Sequence, residues 1–169
     1  MTVEKLKKKD IFFAIKGTKN SGTKFIDEAI TKGAAVIVTS QEKKYKNFKI
    51  PFVLVKNVRK SLAEAASNFY KKKPKNITTV TGTNGKSSVA DFFYQILTLN
   101  RLPVASIGTL GLNYKNNKKK TSLTSIDPIS LHQSLQSLAK KKINNVILEA
   151  SSHGLDQKRL DYLNIKTGI

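Results

Sequence analysis

The chain has 169 residues, 39% of them hydrophobic, which is enough for one domain or two small ones with a core and excludes an intrinsically disordered protein. It has no cysteine, which excludes a disulfide framework and thiolate metal sites and favours a reducing, cytoplasmic setting. Its formal charge of +20 comes almost wholly from lysines at predicted loops and helix ends, without the arginine forks and interleaved aromatic residues of nucleic-acid sites, so we interpret it as a solvated basic surface rather than a specific nucleic-acid interface.

The first part of the chain alternates short apolar strands with amphipathic helices, a pattern typical of parallel α/β packing. Its N-terminus is too polar for a signal peptide, and no apolar run approaches the length that spans a membrane, so membrane insertion is not expected. A charged segment with a proline, residues 71–76, then predicts a boundary between two domains, 1–73 and 74–169. The predicted elements before it are strands at 10–15, 34–39 and 52–55 and helices at 24–32 and 58–70.

The second domain opens on a strand, a glycine-rich loop and a helix within residues 77–97. Such a loop turns backbone N–H groups toward one point, and the helix N-terminus adds partial positive charge, so an anion is favoured there. Lys86 is placed to reach the outer phosphates of a nucleotide, and the hydroxyl of Ser87 to ligate Mg²⁺. We therefore predict a phosphate-binding loop, although Val80 stands where the common motif has glycine; a glycine-rich turn that binds nothing is the alternative. The predicted nucleotide contacts are Gly82, Thr83, Asn84, Gly85, Lys86, Ser87 and Ser88.

More strands and a helix follow, and together they predict an α/β fold: a small N-terminal α/β domain followed by the first part of a parallel-sheet P-loop ATPase domain. Glu149 ends a buried strand. Because ligands gather at the carboxyl ends of parallel strands, we expect Glu149 to face the phosphates, where its carboxylate suits Mg²⁺. His153, which follows, is interpreted as a structural residue. These predicted elements are strands at 103–109, 145–150 and 165–169, a hairpin tip at 116–117 and a helix at 129–141.

The loop sequence Thr-Gly-Thr-Asn-Gly-Lys-Ser at 81–87 resembles that of the ATP-dependent Mur ligases and their relatives, the folylpolyglutamate and cyanophycin synthetases. The resemblance implies an enzyme that joins an amine to a carboxylate through an acyl phosphate. It also implies ATP and Mg²⁺ as cofactors and a catalytic role for Lys86.

Two other stretches, 10–34 and 149–159, are similar to the Mur ligases that add the third residue of the peptidoglycan stem peptide. In that family the first domain holds the uridine diphosphate end of the substrate. A hydroxyl helix cap is an equal alternative for Thr124 and Ser125, and a surface ion pair is the alternative for Arg159. The resemblance implies substrate contacts at Thr18, Lys19, Asn20, Thr124, Ser125, Ser151, Gln157 and Arg159, and Mg²⁺ ligands at Ser87 and Glu149.

The implied substrates are UDP-MurNAc-L-Ala-D-Glu and an amino acid, either meso-diaminopimelate or L-lysine, with a monomer as the full-length form. In the family the central domain continues beyond this point and a C-terminal domain follows. We therefore expect an N-terminal fragment that lacks the C-terminal domain and is inactive by itself. A folylpolyglutamate- or cyanophycin-type ligase and a nucleotide-binding module without ligase activity are the alternatives.

Overall fold

The computed structural model of the protein describes residues 4, 6–17, 21–41, 49–109, 111–115, 117–119 and 126–169. Two compact units, residues 1–62 and 63–169, make up the chain, and the domain boundary at residue 73 stays a prediction. Several predicted positions lie outside the described residues. They are the hairpin-tip residue Asn116 and the substrate contacts Thr18, Lys19, Asn20, Thr124 and Ser125.

The first unit is a small parallel sheet with one short helix. Its elements are β1 (Ile11–Phe13), α1 (Ile26–Thr31), β2 (Val36–Thr39), β3 (Phe52–Leu54) and the start of α2 (Val58–Phe69). The strand order is β1-β2-β3, and the core between the sheet and α1 includes Phe12, Ala29 and Ile37. The helix predicted at 24–32 begins later than expected, because a 3₁₀ turn at Gly22–Phe25 precedes it and Phe25 has a non-helical backbone.

The second unit is a six-stranded mixed sheet with the order β7-β6-β5-β8-β4-β9. Its strands are β4 (Asn76–Val80), β5 (Val104–Gly108), β6 (Gly111–Tyr114), β7 (Asn117–Lys119), β8 (Asn145–Glu149) and β9 (Ile165–Gly168). The strands β5, β8, β4 and β9 are parallel, as predicted, and the predicted hairpin, β6 and β7, extends one edge antiparallel. The α/β fold class is confirmed.

Helices cover both faces of this sheet. They are α3 (Lys86–Leu99), α4 (Pro128–Lys140) and the short α5 (Ser152–Asp156), which was not predicted. The buried leucines of α4 pack on one face, and Ala90 of α3 packs with Val80 and Ile147 on the other. The Asp127 side chain caps α4 by accepting a hydrogen bond from the Ser130 N–H at 3.1 Å. Among the described residues, no helix has the length and apolar character required to cross a bilayer.

A histidine is buried in the second unit. His132 of α4 has 0% of its surface exposed. Burial and, next, the positive charge of Lys73 lower the pKa of His132 to about 4, while the backbone of Asp161 opposes the shift. The Lys73 ammonium is held in place by the carbonyls of Ser67 at 3.3 Å and Tyr70 at 3.1 Å. The imidazole is therefore neutral at pH 7 and is a core residue.

Candidate functional site

The glycine-rich loop, residues 81–85, joins the end of β4 to the start of α3. Gly85 is the N-cap of α3 and has a φ of +79°, in the left-handed region that residues with a Cβ rarely adopt. A Cβ there would meet nothing within 4 Å, so the backbone conformation alone requires glycine. Because Gly85 has no side chain to cap the helix, the first N–H groups of α3 are available to an anion.

The side chain of Lys86 lies across this loop. Its Nζ donates hydrogen bonds to the carbonyl oxygen of Gly82 and, at 3.3 Å, to that of Thr83. All residues from 82 to 85 are exposed, and so is Ser88. The loop is open to a ligand, and the Lys86 ammonium is already positioned at its mouth.

Glu149 connects the loop to the sheet. It ends β8, lies opposite Val80 in the register of β4 and β8, and is 4% exposed. Its Oε2 accepts hydrogen bonds from Ser87 Oγ at 2.9 Å and from Thr109 Oγ1 at 2.9 Å, and its Oε1 accepts one from the Thr109 N–H at 3.1 Å. These donors come from the start of α3 and the end of β5. The structure thus brings Ser87 and Glu149, the two predicted Mg²⁺ ligands, into direct contact.

A missing side chain makes room for this carboxylate. Gly108 is the last residue of β5, and a Cβ on it would lie 2.1 Å from Oε1 of Glu149 and 2.3 Å from its Cδ. Any larger residue would overlap the carboxylate. Glycine at 108 is therefore required by close approach.

A small cavity of ≈ 10 Å³ lies beside Glu149, lined also by Ser87, Asp91, Ser106 and Asn113. Asn113 is 8% exposed, and its Oδ1 has no hydrogen-bond partner among the described residues. A buried acceptor without a partner costs about 1–3 kcal/mol. The polar lining and the volume suit a single water molecule that would satisfy this oxygen.

The residues at this site suit Mg²⁺. Among the described residues, no group of three or more His, Cys, Asp or Glu side chains is placed to hold a metal. Mg²⁺ commonly takes one or two protein oxygens together with substrate phosphates, at about 2.0–2.1 Å in an octahedron, so adjacent ligand oxygens lie about 2.9 Å apart. Ser87 Oγ and Glu149 Oε2 are 2.9 Å apart. This is the length of the hydrogen bond between them, and it leaves the two oxygens close enough to be ligands of one ion.

The predicted substrate contacts after β8 form a separate cluster. Ser151 caps α5, its Oγ accepting a hydrogen bond from the Gly154 N–H at 3.0 Å. Gln157 Oε1 accepts from Arg159 Nε at 3.1 Å and Nη2 at 2.7 Å, and Gln157 Nε2 lies 2.5 Å from His153 Nε2. The structure therefore brings Gln157 and Arg159 together, and Ser151 stabilises the start of α5.

Protein families provide the deciding comparison. A family model described as "Mur ligase middle domain" matches residues 80–169, and one described as "Mur ligase family, catalytic domain" matches residues 4–70. The chain belongs to the Mur ligase family. The first match includes Ser87 and Glu149, and the family predicted from the loop is confirmed.

This Mur ligase chain is similar to curated proteins named UDP-N-acetylmuramoyl-L-alanyl-D-glutamate–2,6-diaminopimelate ligase. The protein of that name from Bradyrhizobium diazoefficiens is 43% identical over 159 residues, which cover 94% of this chain and 32% of the relative. The one from Rickettsia montanensis is 42% identical over 166 residues, covering 95% of this chain and 34% of the relative. The chain spans about a third of the length of these curated relatives.

Solved structures of Mur ligases share the fold. A structure of a UDP-N-acetylmuramoyl-L-alanyl-D-glutamate–2,6-diaminopimelate ligase matches with a TM-score of 0.81 and 27% identity, covering 99% of this chain and 34% of that one. A MurF ligase from Thermotoga maritima, solved in complex with ADP, matches with a TM-score of 0.55 and 24% identity, covering 89% and 31%. The second likeness supports the fold alone.

Sequence reasoning missed three residues that shape this Mur ligase site: Gly108, Thr109 and Asn113. Thr109 follows the carboxyl end of a strand, a position that often faces a ligand, so a signal was present. The role of Gly108 depends on β5 lying beside β8, and that of Asn113 on β6 lying beside β5. Neither strand order can be read from the sequence.

Proposed function

We propose that this chain is part of an ATP-dependent ligase that joins meso-diaminopimelate to UDP-MurNAc-L-Ala-D-Glu during peptidoglycan synthesis in the cytoplasm. The observation that supports the proposal is the hydrogen bond of Ser87 to Glu149 beside the Lys86 loop, since it joins the predicted phosphate loop to the two proposed Mg²⁺ ligands in a Mur ligase. The choice of diaminopimelate rests on the names of the relatives that are 43% and 42% identical.

The chemistry proposed is amide formation in two steps. A carboxylate is a poor electrophile, so the γ-phosphoryl group of ATP is first transferred to the D-glutamyl carboxylate and ADP leaves. The amine of diaminopimelate then attacks the acyl carbon, the amide bond forms, and inorganic phosphate leaves. The protein contributes by positioning the two reactants and by offsetting the negative charge on the phosphates.

The residues of the loop have distinct roles in this scheme. The N–H groups at the start of α3 hold phosphate oxygens. When ATP binds, the Lys86 ammonium leaves the carbonyls of Gly82 and Thr83 and donates its hydrogen bonds to the γ-phosphate instead. Ser87 and Glu149 would hold Mg²⁺, which when bound offsets charge on the β- and γ-phosphates. Thr109 holds the Glu149 carboxylate in place through two hydrogen bonds.

The UDP-muramoyl substrate is proposed to bind elsewhere on the chain. Arg159 is suited to an anionic substrate, because its planar guanidinium can pair with a phosphate or carboxylate through two hydrogen bonds, and Gln157 orients it. The other proposed contacts are Thr18, Lys19, Asn20, Thr124, Ser125 and Ser151.

Nucleotide binding is tested with the variant Lys86→Ala. We expect calorimetry to show MgATP binding weakened tenfold or more, equal to about 1.4 kcal/mol or more, because the ammonium lies across the loop, bonded to the carbonyls of Gly82 and Thr83. Circular dichroism should be unchanged, since the partners of Lys86 among the described residues are carbonyls of an exposed loop. The control Lys75→Ala removes the same charge from an exposed site in the same unit and should bind MgATP like the parent. Parent-like binding by Lys86→Ala would show that the loop does not hold the phosphates.

Ligase chemistry is tested by positional isotope exchange with the whole ligase of which this chain is proposed to be a part. ATP labelled with ¹⁸O in the β,γ-bridge is incubated with Mg²⁺ and UDP-MurNAc-L-Ala-D-Glu without an amino acid. Reversible phosphoryl transfer moves the label into non-bridging β-phosphate positions. We expect this exchange only when the muramoyl substrate is present. ATP binding without exchange would favour a nucleotide-binding module, and exchange supported instead by a folate substrate would favour a folylpolyglutamate-type ligase.

A further inference from the structure

A second cavity lies at the end of the six-stranded sheet where β5 and β8 begin, opposite the Lys86 loop. It has a volume of ≈ 370 Å³ and is lined by residues that precede β5 and β8 and that end α3 and α4. The loop, Thr109 and Glu149 instead lie at the carboxyl ends of β4, β5 and β8. Because β5 and β8 have five residues each, the two ends of these strands are about 16 Å apart. This cavity is therefore separate from the nucleotide site.

We propose that this cavity binds a small phosphorylated molecule. Its volume is in the range of small-molecule sites. Its lining combines an apolar, buried floor of Tyr94, Val104 and Ile143 with a rim of cations, and no Asp or Glu is among the described residues that line it. A phosphate on an apolar or ring-containing body would match both parts. The cations are Arg101, Lys115, Lys141 and Lys142.

One of these cations is held by a neutral partner. The Lys141 ammonium lies 4.2 Å from the centre of the Tyr114 ring and donates a hydrogen bond to the Tyr114 hydroxyl. A ring and a hydroxyl position the ammonium without cancelling its charge. Lys141 is thus already ordered for an anion, which lowers the entropy lost when a ligand binds.

The other three cations stand at turns where the backbone disfavours them. Arg101, Lys115 and Lys142 have φ values of 57°, 49° and 61°, in the left-handed region where glycine and asparagine are the usual residues. They are three of the six non-glycine residues with such a backbone in the described part of the chain. Lys9 and Lys158 share this backbone without lining the cavity, so the conformation is not specific to it, but it places three cations at turns that border the cavity.

Helix capping does not account for so much positive charge. The C-terminal turns of α3 and α4 both end at the cavity, closed by bonds from the Leu102 N–H to the Leu97 carbonyl and from the Ile143 N–H to the Leu138 carbonyl. A helix C-terminus carries about −0.5 of an elementary charge, so the two together offset about one of the four positive charges. Arg101, Lys141 and Lys142 together exceed that offset, so they repel one another around the cavity, and a phosphate group would relieve that repulsion.

The test uses tripolyphosphate as the probe, in the Lys86→Ala background so that the nucleotide loop does not contribute. The site variant is Arg101→Asn, Lys115→Asn and Lys142→Asn together, because asparagine tolerates a left-handed backbone and the fold should be retained. The control, Lys71→Gln, Lys72→Gln and Lys75→Gln, removes three exposed charges elsewhere in the same unit. We expect calorimetry at low salt to show binding that is weakened about tenfold or more by the site variant and about twofold or less by the control.

Three results would overturn the proposal. Absence of tripolyphosphate binding in the Lys86→Ala background would mean that no second anion site exists. Equal weakening by the site and control variants would mean a diffuse attraction to a basic protein. Tighter binding of a short DNA duplex than of tripolyphosphate, lost in the site variant, would make this edge a nucleic-acid surface instead. Urea unfolding of each variant checks that loss of binding does not reflect loss of the fold.

Discussion

Gly108→Ala tests the geometry of the metal site with the smallest possible change. The alanine Cβ would lie 2.1 Å from Oε1, 2.3 Å from Cδ and 2.4 Å from Cγ of Glu149. Ordinary contact begins at 3.4 Å, so the carboxylate would have to move by 3.4 − 2.1 = 1.3 Å. Such a shift cannot be absorbed by hydrogen bonds of 2.9–3.1 Å from Ser87 and Thr109. The variant should therefore separate Glu149 from its donors.

The cost follows from the contacts that are lost. Overpacking a core costs about 1–3 kcal/mol, and each hydrogen bond to a charged group contributes about 1.5–3 kcal/mol. Since the backbone can relax in part, we expect the free energy of unfolding to fall by about 2–4 kcal/mol. The affinity for MgATP should fall further than the affinity for ATP without Mg²⁺, because the displaced carboxylate is the proposed metal ligand.

Urea titration measures the first effect, and calorimetry with and without Mg²⁺ measures the second. Gly168→Ala is the matched control, since a Cβ on Gly168 in β9 would meet one atom of the described residues, Thr79 Oγ1, at an ordinary distance of 3.9 Å. That control should be neutral or slightly stabilising and should bind MgATP like the parent. If Gly108→Ala has the same free energy of unfolding and the same affinity for MgATP as the control, the Glu149 carboxylate does not lie against Gly108, and the proposed metal site is wrong.

Three other side chains give outcomes of different kinds. Arg159→Ala should weaken binding of UDP-MurNAc-L-Ala-D-Glu more than binding of ATP, and equal weakening of both in calorimetry contradicts its proposed role. The pKa of His132 is about 4 in the folded chain and 6.5 in the unfolded chain, so between these values the unfolded chain binds one more proton. The free energy of unfolding should therefore be unaffected by His132 above pH 6.5 and should fall by about 2–3 kcal/mol as the pH is lowered to about 4. His132→Leu should remove that part of the pH dependence of urea unfolding, whereas His153→Gln, at an exposed position, should retain it. Asn113→Leu should lower the free energy of unfolding by about 1 kcal/mol, because it removes the acceptor that a water in the small cavity would satisfy, and an equal gain would instead show that the cavity is dry.

Local pattern was sufficient to predict most of the secondary structure. The strand before the loop, the helix after it and the strand that ends at Glu149 were predicted because apolar spacing and glycine positions determine them directly. The helix α5 was missed because it has only five residues, includes Gly154, and depends on a cap from Ser151. Short elements of this kind are stabilised by individual contacts, which leave no periodic signal.

The candidate site was predictable as separate parts. Ser87 and Glu149 were each predicted as metal ligands from their own segments, and their contact follows from the pairing of Val80 with Glu149. The support of Glu149 by Thr109 depends on a third strand, β5, on the far side of β8. The order of strands in a sheet is decided by long-range packing, so this part of the site required the structure.

The Glu149 carboxylate also connects the glycine-rich loop to the end of β5, so a cation bound at the loop would affect hydrogen bonds there. It receives one hydrogen bond from the first turn of α3 and two from the end of β5. A divalent cation held by Ser87 and Glu149 would replace the first of these hydrogen bonds. It would also share the charge of the carboxylate that accepts the other two, on Oε1 from the Thr109 N–H and on Oε2 from the Thr109 hydroxyl. The strength of the hydrogen bond from the Thr109 N–H to Glu149 Oε1 would then depend on whether the loop holds a cation. The hydrogen–deuterium exchange rate of the Thr109 N–H would then report whether the loop is occupied, at a residue that follows β5 and lies outside the loop itself.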